Sequence, residues 1–287
     1  RYTTSFDALD ETVRWLSASF GGLQLTSLVG FSAGAQLVSR WAFFSSEAAA
    51  GAAVRSVVSD PSSYMYLDAT RPADACCPLA DTGRSHTCTA FAAPADISAC
   101  PEYDDYKYGL ADLASVSANL YISAFAANAT ALQRAIDGFA YRDVRFLFGV
   151  QDVCNCNTAG FNNNAAYCYP AAGDGCSPNA DGGSLGGYGC CDTFPDSFTD
   201  NAVDVKCQAL LQGSNRLQRG LNFVSYLRAQ APDADVHTGT FEGGHNCSGA
   251  FFSDTLSDWS FAPAPPSPSP LPVSPSPPNY WRWEWND

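Results

Sequence analysis

Residues 25–44 read LTSLVGFSAGAQLVSRWAFF: an apolar run, the pentapeptide Gly30-Phe31-Ser32-Ala33-Gly34, then apolar residues at helical spacing. Glycine on both sides of a serine lets a strand turn sharply into a helix and leaves the serine hydroxyl exposed at the helix N-terminus. This segment constrains the fold more than any other, because a strand followed at once by a helix is the repeating unit of parallel sheets. The placement also suits Ser32 for nucleophilic attack, although small residues fill tight turns for purely structural reasons too.

The rest of the chain extends the pattern. Thr4 and Asp7 have the spacing of a weak capping box, and Phe6, Leu9, Val13, Leu16 and Phe20 recur at helical intervals before Gly21, which predicts an amphipathic first helix. Strands are predicted at 23–30, at 54–59 with Pro61 as the stop, at 144–150 (VRFLFGV) and at 236–241. Helices are predicted at 33–44, at 128–139, over a long stretch at 205–229, and from the EGGHNCSG segment to about Trp259. Residues 61–118 show little periodicity and carry the aromatic stretch YDDYKYGL at 103–110, which is expected as an excursion over the sheet edge. Residues 154–200 form a loop rich in Gly, Asn and Cys, too long to lack structure unless bonds hold it. Alternating strands and helices predict an α/β fold, a mostly parallel sheet flanked by helices with Cys-rich loop insertions.

With 287 residues, 46% of them apolar, the chain can bury one sizeable core, assigned here to a domain at 1–261. APAPPSPSPLPVSPSPP at 262–278 is a polyproline II linker that cannot build a core, and NYWRWEWND at 279–287 is a Trp-rich tail too short to fold alone. Fifteen basic against 29 acidic residues give a formal charge of −14, which repels phosphate backbones and anionic membrane surfaces and argues against nucleic acid as a partner. No run is apolar enough for membrane insertion. Twelve cysteines, with sequons at Asn128 and Asn246, point to an oxidising secretory compartment and up to six disulfides of unassigned pairing. No paired CxxC motif with flanking histidines suggests zinc. No export signal is visible, so for a secreted protein it is expected outside this chain. The Ser-Pro repeats resemble the hydroxyproline-rich glycoproteins of plant and green-algal cell walls, which implies an extracellular or cell-wall location and association with the matrix.

Partners for Ser32 stand beyond other predicted strands. Asp152 lies two residues past the strand ending at 150, and His245 lies in a Gly-rich loop after the strand at 236–241. An aspartate can fix a histidine tautomer and stabilise its imidazolium while the histidine removes the serine proton. Asp152 could instead cap a turn or sit solvated, and Asp143 stands at the wrong end of its strand, since ligands gather at the carboxyl ends of parallel sheets. His86 falls in the Cys-rich excursion and His237 inside a strand, leaving His245 as the best base, with an ordinary structural histidine as the alternative. Cys154 and Cys247 flank the acid and the base, where a disulfide would hold both loops; a glycan on Asn246 would crowd the base. Asp174, Asp181 and Asp192 lack EF-hand spacing and read as a solvated acidic loop. No cofactor or metal is expected.

On GFSAG, FLFGVQD and Gly243-Gly244-His245, the chain resembles a secreted member of the α/β-hydrolase superfamily over about residues 5–259. DPSSYMYL and CQALLQGSNRLQRGLNF are similar to segments of uncharacterised secreted hydrolases that have no assigned role. The resemblance implies an acyl-enzyme on Ser32, His245 as general acid and base, Asp152 as its orienting group, and the Ala33 amide as one oxyanion donor; the order Ser, Asp, His is the family's. In the family several strands precede the elbow and a loop among them gives the second oxyanion amide. With 31 residues before Ser32, the domain is expected to be N-terminally incomplete and to lack that donor. The implied function is serine-dependent cleavage of a carboxylic ester, on a small molecule or a cell-wall component. The alternatives are a non-enzymatic extracellular matrix or cell-surface component that keeps the scaffold, and a peptidase.

Overall fold

The structure is a computed structural model describing residues 3–49, 54–73, 88–116, 120–150, 152, 204, 206–213 and 215–261. The linker at 262–278, the tail at 279–287, His86, Cys154 and the acidic loop residues Asp174, Asp181 and Asp192 lie outside the described residues.

In chain order the elements are α1 (Ser5–Ser19), β1 (Thr26–Phe31), α2 (Ala33–Phe44), α3 (Ser46–Ala49), β2 (Val54–Ser59), β3 (Arg71–Pro72), β4 (Phe91–Ala92), α4 (Leu120–Ala126), α5 (Ala129–Gly138), β5 (Val144–Gly149), α6 (Cys207–Leu210), α7 (Arg216–Gln230), β6 (Thr238–Phe241), α8 (Cys247–Phe251) and α9 (Asp254–Phe261). Four strands form one sheet in the order β1-β2-β5-β6, every neighbouring pair parallel. β3 and β4 make a separate antiparallel pair. This is an α/β fold with a parallel sheet flanked by helices.

The two-residue period of the strands sorts their side chains between the faces. Val54, Val58, Val144, Phe146 and Phe148 enter the larger core with Val38 and Trp41 of α2 and Phe223, Val224 and Leu227 of α7. Val57, Leu147 and Phe241 enter a smaller core with Ala250 of α8 and Leu256 of α9. All six residues of β2 and of β5 are buried, including the polar Arg55, Ser56 and Ser59 of β2 and Arg145 of β5. Burying a side chain the size of Phe146 contributes about 1.5–3 kcal/mol.

Local rules set the helix ends. The Thr4 hydroxyl accepts from the Asp7 amide at 3.1 Å and the Asp7 carboxylate accepts from the Thr4 amide at 2.8 Å, a reciprocal capping box. Asp10 of α1 is buried and accepts from Trp41 Nε1 at 2.8 Å, Ser45 Oγ at 2.6 Å and the Tyr121 hydroxyl at 2.7 Å, joining α1 to α2 and α4.

Three expectations are corrected. The long helix at 205–229 is two helices, α6 and α7. Gly213, at φ 144, ends the first, and the Asn215 side chain caps the second by accepting from the Gln218 amide at 2.9 Å. The last helix is likewise divided into α8 and α9. The aromatic stretch at 103–110 turns Tyr103 and Tyr108 inward, where both are buried and their carbonyls accept from Arg71 Nη2 at 3.0 and 3.2 Å, while the Lys107 side chain stays exposed.

Candidate active site

The turn between β1 and α2 holds Ser32 at φ 54, ψ −116, a left-handed conformation that few side-chain-bearing residues adopt. Its amide donates to the Ser59 carbonyl at 2.9 Å, and its own carbonyl accepts from the Gln36 amide at 3.1 Å. Gly30 is required by close approach, since a Cβ there would lie 2.4 Å from the Gly34 carbonyl oxygen; at Gly34 a Cβ would meet nothing. Ser32 makes no side-chain cap to α2, which leaves its hydroxyl directed elsewhere. Ala33 and Gly34, beside it, are exposed.

That hydroxyl meets His245, whose Nε2 is 2.9 Å from Ser32 Oγ. His245 Nδ1 is 2.8 Å from Asp152 Oδ2. Asp152 is buried, its amide donating to the Gly149 carbonyl at 3.0 Å and its carbonyl accepting from the Leu217 amide at 3.1 Å. Its second oxygen, Oδ1, lies 3.4 Å from Nη1 of buried Arg216, whose Nε donates to Ser62 Oγ at 3.2 Å. The His245 ring stacks on Phe31 with centroids 4.6 Å apart, so the residue before the serine also forms a wall for the base. Ser32, Asp152 and His245 each follow the carboxyl end of a parallel strand, the edge where such sheets collect functional groups.

Other sequence candidates stand apart from the trio. Asp143, at the opposite end of β5, pairs with Arg55 and Arg145, both at 2.8 Å. His237 lies 3.3 Å from Asp235. Cys247 is an exposed free thiol, and a disulfide between it and Cys154 involves a residue outside the described ones. Asn246 caps α8, its side-chain oxygen accepting from the Ser248 and Gly249 amides at 2.9 and 3.2 Å.

Two site residues escaped the sequence reading. Asp60, immediately after β2 at φ 48, is buried, and its two oxygens accept from the Gly149 amide at 3.1 and 3.2 Å. Burial and the neighbouring Asp152 carboxylate push the Asp60 carboxyl well above the usual carboxylate range. Its place just past a strand was the signal that could have found it. Arg216, at the start of α7, had no comparable signal. Asp60, Asp152 and His245 each offer an atom within 4.8 Å of the others, a spacing that could hold a metal ion.

No family model matches the chain, and no curated protein matches it. Among solved structures it is similar to poly(aspartic acid) hydrolase-1 from Sphingomonas sp. KT-1, with 15% identity and a TM-score of 0.45 over 89% of this chain and 61% of that one. The chain thus spans about three fifths of that protein's length, and a likeness so distant carries no argument about its chemistry.

Proposed function

We propose that the chain is a serine hydrolase that cleaves a carboxylic ester through an acyl-enzyme on Ser32, in an extracellular or cell-surface setting. The observation that carries this reading is the unbroken line of hydrogen bonds from Asp152 through His245 to Ser32, at 2.8 and 2.9 Å.

In this mechanism His245 Nε2 takes the proton of Ser32 Oγ as the oxygen attacks the ester carbonyl, forming a tetrahedral oxyanion. His245 then gives the proton to the departing alcohol. Water, deprotonated by His245, attacks the acyl carbon, and the bond to Ser32 Oγ breaks as His245 returns the proton to that oxygen, releasing the acid and restoring the serine. Asp152 holds the Nδ1–H tautomer and stabilises the transient imidazolium. The Ala33 amide, in the first turn of α2 with no intrahelical acceptor, is one oxyanion donor, and the helix N-terminus favours the developing negative charge. The Cys100–Cys207 disulfide supports an oxidising compartment.

A fluorophosphonate probe tests the reading on the full chain. Ser32→Ala is expected to abolish labelling that the wild type shows, and equal labelling of the two overturns it. A peptidase would use the same groups, and matched ester and peptide substrates separate the two. The second reading is a non-enzymatic matrix component that keeps the scaffold. The Pro- and Ser-rich stretch at 262–278 favours it, and Ser32-dependent ester turnover excludes it.

A further inference from the structure

Three loops of the candidate site meet at one backbone position, Gly149, the last residue of β5. Its carbonyl accepts from the Asp152 amide at 3.0 Å, which closes the turn carrying the acid. A Cβ on it would lie 2.8 Å from the carbonyl oxygens of both Gly243 and Gly244, so the loop carrying His245 packs directly on its backbone. Its amide points to β2. There the ladder runs regularly up to the Asp60 amide, which donates to the Leu147 carbonyl at 3.3 Å. The next bond of a parallel ladder would run from the Gly149 amide to the Asp60 carbonyl. Asp60 instead turns into the left-handed region at φ 48, and its carboxyl oxygens take that amide at 3.1 and 3.2 Å. A side chain thus replaces a ladder carbonyl at the point where the acid and base loops are fixed.

We propose that Asp60 is a positioning residue for the triad: through the Gly149 amide it sets the turn that presents Asp152 and the floor on which the His245 loop rests. This inference rests on the hydrolase reading of the site. Asp60 does not touch the reacting atoms and acts through its neighbours. Asp152 meets the Arg216 guanidinium at 3.4 Å and the His245 imidazole at 2.8 Å, and the Asp60 oxygens accept from the Gly149 amide. The groups facing Asp60 are Asp152 from the turn after β5, Arg216 from α7, Tyr64 from the segment after β2 and His245 from the loop after β6. Burial and the neighbouring Asp152 carboxylate push the Asp60 carboxyl well above the range in which an exposed aspartate ionises.

The test compares wild type, Asp60→Asn and Asp60→Ala as the full chain. Turnover of p-nitrophenyl acetate is measured, together with the ring-nitrogen NMR shifts of His245, which report its tautomer and titration without requiring turnover. Asp60→Asn keeps a neutral acceptor for Gly149, so kcat is expected within about threefold of wild type with the Nδ1–H tautomer intact. Asp60→Ala removes the acceptor; kcat is expected to fall by roughly 10- to 100-fold with KM little changed, the size of effect that a small misplacement of catalytic groups produces, and the tautomer becomes mixed. The proposal is overturned if Asp60→Ala matches wild type in kcat and tautomer, or if Asp60→Asn falls as far as Asp60→Ala. Should Asp60→Ala fail to fold, Asp60→Ser, whose side chain is shorter, takes its place: a lowered kcat with a mixed His245 tautomer supports the proposal, and wild-type kcat and tautomer overturn it. Failure of the hydrolase reading looks different, since wild type would then neither turn over the ester nor take the fluorophosphonate.

Discussion

At the scale of single residues, Arg216 carries the largest electrostatic consequence. It is buried against an equally buried Asp152, with Nη1 3.4 Å from Oδ1. Replacing it with methionine fills similar volume but leaves the Asp152 carboxylate without that counter-charge, and breaking a buried pair from one side costs about 3–5 kcal/mol. Urea denaturation of Arg216→Met is expected to show a loss in that range, and Asp152→Asn in the same chain should recover part of it. A loss below about 1 kcal/mol would mean that the pair behaves like an exposed one. Arg219, one helical turn on, is held by backbone at two of its nitrogens, Nε on the Gly213 carbonyl at 2.7 Å and Nη1 on the Ser62 carbonyl at 2.6 Å, while its buried Nη2 meets no acceptor among the described residues; burial pushes its pKa down to about 10. The sequence made Ser32, Asp152 and His245 visible because each follows a strand with local apolar patterning. Asp60 obeys the same rule, but its meaning depends on β2 lying beside β5, a pairing that residues almost ninety positions apart in the chain do not announce. Arg216 and Arg219 were hidden by helical periodicity itself, which places charged residues among apolar ones without saying which face is buried.

At the scale of elements, the packing of α7 on β5 turns on Gly220. In the middle of a helix, glycine is about 1 kcal/mol less favourable than alanine, so propensity alone predicts that Gly220→Ala stabilises. The structure reverses the sign, because a Cβ there would lie 2.3 Å from the Phe148 ring, whose side chain is packed in the main core. Overpacking of this kind costs typically 1–3 kcal/mol, occasionally more. Gly220→Ala is therefore expected to lower the urea midpoint, whereas a raised midpoint would show that Phe148 yields freely. The same stretch shows where reading by period stops. Leu217, Leu221, Val224 and Leu227 placed the helix correctly, but the period continues through Leu210 as though no break intervened. The break at Gly213 and the Asn215 cap are local signals of turn and start, and the apolar spacing masked them. The capping box at Thr4 was legible for the opposite reason: its two partners lie three residues apart and need nothing from the rest of the fold.

At the scale of the whole molecule, the Cys100–Cys207 disulfide joins parts of the chain separated by 107 positions. It anchors the stretch at 103–110 to α6, the helix that precedes α7 and its site arginine. Asp204 reinforces the junction: burial acts to raise its pKa, but the Tyr108 hydroxyl at 2.7 Å, the Lys206 amide at 3.1 Å and Lys107 at 3.3 Å together hold it below the usual carboxylate range. A cross-link closing a loop near 100 residues restricts the unfolded chain by about 4.7 kcal/mol in the chain-entropy account, and typical measured values are about 2–4 kcal/mol. Replacing both cysteines by alanine is expected to lower unfolding free energy within that measured range. The groups of the candidate site are carried by the ends of β1, β5 and β6, whose pairing does not pass through the disulfide. Fluorophosphonate labelling of the double variant should therefore match wild type below its unfolding transition and disappear at a lower urea concentration. If labelling is lost while the chain is still folded, the junction at 100–108 governs the site itself, and the effect would have to travel through α6 and α7 to Arg216 and Asp152.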